Sequence, residues 1–158
     1  TSSDFIKLGI SEDVFWDVNS SDGFKPYFSI IKKYLKNYDA FSDSPWLYLY
    51  RELDEWYPNS KFILTIRDPE KLAISDIKMW KRMGRIPRSK DEYIERYNKH
   101  VNNVKEYFKN RPNDLLILDV SSPTVWKELC NFLDIKNIPN KPFPKSNTEK
   151  IHSELLKN

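Results

Sequence analysis

A three-layer α/β fold, with a parallel sheet between two layers of helices, is the architecture this sequence predicts. Three observations predict it. Two short runs, residues 61–66 (KFILTI) and 115–120 (LLILDV), are almost wholly apolar, as strands are when both faces of a parallel sheet are covered. Helical spacing of apolar residues fills the chain around and between them. Strands that alternate with helices are joined by crossovers, and crossovers build parallel sheets. A chain of 158 residues is expected to form one domain, over 1–158, around one core.

Taken in order, residues 1–23 are weakly patterned, with Gly9 and Ser20-Ser21-Asp22-Gly23 marking turns. Over 24–38, Tyr27, Ile30, Ile31, Tyr34 and Leu35 recur at three and four, which predicts a helix. Asp39-Ala40-Phe41 predicts a short strand that ends at Ser42-Asp43-Ser44-Pro45. Pro45 suits the first turn of a helix whose apolar stripe is Trp46, Leu49, Leu53 and Trp56. The strand at 61–66 is stopped by Arg67-Asp68-Pro69, and a helix follows to about Met83. A basic loop covers 84–88. A long helix is expected over 91–110, with Ile94, Tyr97, Val101, Val104 and Phe108 on one side. The second buried strand leads into a helix near 124–133, and the remainder is a Pro-, Asn- and Lys-rich tail with one terminal helix.

Composition narrows the function. Hydrophobic residues make up 39% and aromatic residues 15%, enough for a core built from rings as well as aliphatic chains. The formal charge is +3, with basic residues interleaved among acids; that suits an anionic small ligand and argues against a nucleic-acid partner. The single cysteine, Cys130, excludes an internal disulfide and a Cys-based metal cluster. It lies at an apolar position of VWKELCNFL, which predicts a buried thiol. Two histidines, His100 and His152, are too few for a His-based metal site, so no metal is expected. No apolar run approaches the roughly 20 residues that span a bilayer. The first residues show no signal peptide, so no membrane partner and a cytoplasmic location are expected.

Arg67, Asp43 and Asp119 fall at or near the carboxyl ends of predicted strands, where ligands bind in open parallel sheets. Arg67 can grip a phosphate dianion at two points with its planar fork. Ser75, eight residues later, stands two turns into the next helix and could face the same anion. From the residues alone, an Arg67 paired with a carboxylate and a Ser75 that merely packs is an equally good account.

A strand followed by Arg-x-Pro, with Ser eight residues after the Arg, resembles the 3′-phosphate-binding motif of sulfotransferases. The chain is also similar to small-molecule sulfotransferase-like proteins in longer blocks, in the same order. These are Asp39-Ala40-Phe41-Ser42-Asp43-Ser44-Pro45, the stretch from Glu52 to Asp68, and Tyr97, His100, Val104, Tyr107 and Phe108. The stretches 114–119, 126–133 and 142–147 follow.

The resemblance implies a sheet of the P-loop nucleotide-binding type and a donor, 3′-phosphoadenosine-5′-phosphosulfate, lying along the strand ends. It implies that Arg67 and Ser75 hold the 3′-phosphate, that the acceptor is a small molecule bearing a hydroxyl or amine, and that the product is 3′,5′-ADP. The family opens with a strand and a loop like G-x-x-x-x-G-T-x-S whose amides cradle the phosphosulfate. The sequence holds no such loop, and truncation at the N-terminus is expected, with Thr1 and Ser2 as remnants that touch the donor. The family's base is a His two residues before a Pro; Asp43, two before Pro45, is the candidate here, and N-capping of the following helix is its bland alternative. Lys145 is a weak candidate for the cation at the departing phosphate. Trp80 and Tyr93 are expected to pack rather than stack on adenine or acceptor. Two rivals stay open: a nucleotide-binding module without catalysis, and a P-loop kinase of small molecules with Asp119 as its Mg²⁺ ligand.

Overall fold

The computed structural model describes residues 21–144, and these divide into two compact units at Ser60 and Lys61. Thr1, Ser2, Lys145 and His152 lie outside the described residues.

The first unit is helical. A 3₁₀ segment, Ser21–Tyr27, leads into α1, Phe28–Leu35, and α2 is Tyr50–Trp56. The single helix expected over 24–38 is split because Pro26 has no amide to donate; the tighter turn carries the chain past it before regular α-helix begins. The helix expected from Pro45 also starts late. Bonds from Tyr48 to the Pro45 carbonyl and from Leu49 to that of Trp46 wind this stretch in separate turns, and α2 begins only at Tyr50. Three of the four stripe residues, Trp46, Leu49 and Leu53, are buried and Trp56 is half-buried; Pro45, Phe24, Ile31 and Leu35 are buried as well.

No strand forms at Asp39-Ala40-Phe41. A strand needs a ladder partner, and the described part of this unit has none. Ring packing shapes the stretch instead, running from Tyr34 to Tyr38 (4.9 Å), Tyr38 to Phe41 (6.3 Å) and Phe41 to Trp46 (4.8 Å). Phe28 meets Trp56 edge-on at 5.0 Å, locking α1 against α2.

The second unit holds the sheet. β1, Phe62–Ile66, pairs in parallel with β2, Leu115–Asp119, in a register that sets Phe62 beside Leu115 and Ile66 beside Asp119. Between them run α3, Pro69–Arg82, and α4, Lys90–Phe108; α5, Val125–Phe132, follows β2. This is an α/β arrangement with a small parallel sheet among helices.

Each helix end has a local cause. Asp68 caps α3 by accepting from the Lys71 amide at 2.9 Å, with Pro69 in the first turn. The end of α3 is a Schellman motif: Gly84 at φ +69° bonds the Lys81 carbonyl and Arg85 that of Trp80. The same motif ends α5, where Asp134 at φ +57° takes the left-handed position and Ile135 bonds back to Cys130. Ser89 and Glu92 form a reciprocal capping box at the start of α4.

The loop after Gly84 runs back along α3, since Lys90 at the head of α4 reaches Glu70 at the head of α3 (3.2 Å). α4 therefore runs antiparallel to β1 and is tied to both its ends: Phe108 stacks on Phe62 at 4.8 Å, and Tyr97 reaches Arg67. The preceding Lys61, whose side chain alternates away from Phe62, donates to the Phe132 carbonyl and to Asp134 (2.9 Å) at the end of α5. Cys130 is buried, as its helix position predicts.

The strands correct one expectation. Leu64 and Leu118 are buried, but Ile63 and Ile117 are each 39% exposed, so neither strand is covered on both faces. A sheet of two strands gives each only one lateral neighbour, and the helices that touch it cover part of its surface.

The capping box makes a stability prediction. Ser89→Ala removes the hydroxyl that accepts the Glu92 amide and should lower unfolding free energy by about 1 kcal/mol, read from denaturant midpoints. Hydrogen bonds from Ser89 hold the Glu92 carboxyl below its ordinary pKa. That contribution is present above the unfolded value and is lost as pH falls through the folded one. The variant should therefore lose less stability on acidification than the wild type.

Candidate functional site

Among the sequence-predicted site residues, Arg67 stands at the carboxyl end of β1. The last ladder bond runs from the Val120 amide to the Ile66 carbonyl, so Arg67 lies one residue beyond the sheet. Its backbone is held by Tyr97 of α4, whose hydroxyl accepts from the Arg67 amide (3.1 Å) and donates to the Arg67 carbonyl (3.1 Å). Asp68 then starts α3. The sheet, a phenol and a helix cap thus fix three successive residues.

Arg67 is exposed, and its guanidinium makes no hydrogen bond or contact ion pair among the described residues. The carboxylate it feels is Asp76, half-buried on α3. Burial pushes the Asp76 carboxyl above its ordinary pKa, and Arg67 opposes that shift only in part. Among the described residues no carboxylate forms a contact pair with Arg67.

Ser75 is exposed on α3 and makes no hydrogen bond among the described residues. It lies about 200° around the helix from buried Ala73, which marks the packed side of α3. The packing alternative for Ser75 fails on that ground. Arg67 and Ser75 belong to one strand–helix unit, and among the described residues neither the guanidinium nor the hydroxyl has a hydrogen-bond partner.

Asp119 ends β2 beside Ile66 in the register. Its carboxylate accepts from the Ser121 hydroxyl (2.6 Å) and amide (2.8 Å), which hold its pKa down. It is spent on the turn into α5.

Asp43 belongs to the first unit and, with no strand at 39–41, stands in a turn rather than at a strand end. It is exposed, with φ at +70°, a conformation that costs a non-glycine residue energy. Its carboxylate accepts from the Ser44 amide at 2.8 Å. N-capping does not describe it: α2 begins at Tyr50, behind Leu49, with no side-chain cap. Next to Asp43, the buried Ser44 hydroxyl has no hydrogen-bond partner, and neither does Glu52 Oε2 on α2.

Trp80 and Tyr93 serve the loop after α3. Arg85 lies over the Trp80 ring at 5.7 Å, and the buried Tyr93 accepts from the Arg88 amide at 3.4 Å. His100 sits one turn beyond Tyr97 and is half-buried. Sequence reasoning missed two residues here, Tyr97 as a backbone clamp and Asp76 as the nearby carboxylate. Tyr97 was visible in an apolar stripe and in the block that carries the family resemblance, neither of which shows a backbone clamp, and a polar residue inside the α3 pattern was the only trace of Asp76.

The family described as a sulfotransferase domain matches the chain over residues 19–86 and 72–152. No curated protein and no solved structure matches it significantly.

Burial lowers the pKa of His100 below the ordinary imidazole value. The fold therefore favours the neutral ring, and the unfolded chain takes up a proton first as pH falls. Stability from this source is full above about pH 6.5 and is lost below it, down to the folded value. His100→Gln should flatten the fall of melting temperature between about pH 7 and about pH 5. An unchanged slope would remove His100 as its source.

Proposed function

The chain belongs to the sulfotransferase-domain family, and from that premise we propose that it moves a sulfonate group from 3′-phosphoadenosine-5′-phosphosulfate to a hydroxyl or amine of a small acceptor. The observation that carries this reading is Arg67, an exposed guanidinium without a contact partner among the described residues, held by its backbone at the carboxyl end of a parallel strand. A dianion is the natural partner of such a fork. Ser75, exposed on the helix that this strand leads into, adds a hydroxyl donor. The extra 3′-phosphate is what sets this donor apart from ATP, and the pair is assigned to it.

Sulfonate transfer is an in-line displacement. The acceptor oxygen or nitrogen bonds to sulfur as the bond from sulfur to the bridging phosphate oxygen breaks, and 3′,5′-ADP leaves. A base must take the acceptor's proton, and Asp43 is assigned that work. Its support is an exposed carboxylate on a left-handed backbone. Thr1 and Ser2 complete the reading as donors to the phosphosulfate. The sheet is read as part of a three-layer P-loop fold, and the enzyme as cytoplasmic.

Two outcomes test it. Arg67→Ala should weaken 3′,5′-ADP binding by about 2–4 kcal/mol in calorimetry, the range for lost charge-assisted bonds in a desolvated site. An affinity unaltered by that change would remove the phosphate grip. Asp43→Asn should lower turnover far more than it lowers donor affinity, measured by sulfate transfer from labelled donor. Equal turnover in both proteins would take Asp43 out of the base role.

A further inference from the structure

We infer that Tyr97 is a positioning residue for donor recognition: its hydroxyl sets how the chain leaves β1, and so the direction in which Arg67 presents its guanidinium. The inference rests on the reading that Arg67 grips the 3′-phosphate.

Phe62 and Ile66 bond to β2, so by strand alternation the Arg67 amide and carbonyl face the edge of β1 away from β2, and no strand among the described residues covers that edge. A flexible peptide pair would result at the one point where direction matters most. Tyr97 supplies both missing bonds from a single oxygen, accepting at 3.1 Å and donating at 3.1 Å. The arrangement uses the phenol in both its roles, and only a hydroxyl can play both from one atom. An arginine arm of about 7 Å turned by about 10° moves its tip by about 1 Å, and errors of that size are costly in a preorganised site.

Anchorage of α4 is a separate matter. Phe108 on Phe62 already ties the far end of α4 to β1, and the Tyr97 ring stays in place if only its oxygen is removed. Tyr97→Phe therefore separates direction from packing. Nor does Asp76 substitute for the clamp, since it makes no contact pair with Arg67.

The test compares two ligands that differ by the 3′-phosphate alone, 3′,5′-ADP and 5′-AMP, on the full chain by calorimetry. The wild type should prefer 3′,5′-ADP strongly. Tyr97→Phe should cut that preference about tenfold, the worth of the lost hydrogen bonds, by weakening 3′,5′-ADP and leaving 5′-AMP unchanged. A preference equal to that of the wild type, or equal weakening of both ligands, overturns the positioning role while the phosphate grip stands. A wild type that does not distinguish the two ligands overturns the grip itself, and the inference with it. Should Tyr97→Phe fail to fold, 3,5-difluorotyrosine at position 97 keeps the shape and loses its proton near neutrality. Its preference should then fall with rising pH faster than the wild type's, and parallel profiles overturn the inference.

Discussion

One phenol oxygen governs the point at which this chain turns from sheet to site. Strand β1 ends where its ladder ends, at Ile66, and the next residue carries the charge on which donor recognition is proposed to depend. Nothing in the sheet orders that residue. Tyr97 does, by closing both backbone groups of Arg67 with its hydroxyl, and the cap on Asp68 then sends the chain into α3. On the proposed reading, a rigid backbone beneath a guanidinium with no contact partner among the described residues would be a preorganised anion site: a bound phosphate need not order the strand end, and the cation need not first leave a carboxylate. Burial raises the pKa of the nearby Asp76 carboxyl, and no contact pair forms between it and Arg67.

The helices earn their places by serving that strand end. α4 lies against β1 in the opposite direction, with Phe108 at its amino end and Tyr97 at its carboxyl end. The return of the loop after Gly84, held by Arg85 over Trp80 and by the Tyr93 hydroxyl on the Arg88 amide, is what allows α4 to begin beside α3. Trp80 and Tyr93, expected to pack, are thus engaged with the loop that leads into α4. In the other unit, aromatic rings from Tyr34 to Trp46 shape the approach to Asp43, whose left-handed backbone is a local strain of the kind that functional turns retain.

Much of the second unit was legible in the sequence. The apolar runs at 61–66 and 115–120 marked both strands because dense aliphatic residues suit a buried pleat. Asp68-Pro69 marked a helix start, and Gly84 the left-handed residue a Schellman end requires. The long helix was expected from Asp91; the capping box of Ser89 and Glu92 that sets its start at Lys90 emerged only from the structure. The first unit was less legible. Three residues such as Asp39-Ala40-Phe41 carry strand propensity, but a strand exists only with a partner, and partners are tertiary. Proline at position 45 announces a turn as readily as a helix. Arg67 and Ser75 were readable as types at a spacing; that both are exposed and uncommitted was not, because commitment depends on what the fold brings near. The clamp by Tyr97 has no local signature: it spans 30 residues of sequence, and any helix stripe may hold a tyrosine.

The central claim, that an ordered and uncommitted Arg67 receives the 3′-phosphate of the donor, is most directly tested at the guanidinium itself. Nitrogen-15 spectra of the arginine side chains, recorded as 3′,5′-ADP and then 5′-AMP are added, report which arginine binds and which phosphate it binds. The account predicts a large shift of the Arg67 Nε–H resonance with 3′,5′-ADP and little with 5′-AMP. An Arg67 resonance that ignores both ligands, or answers both alike, would contradict it.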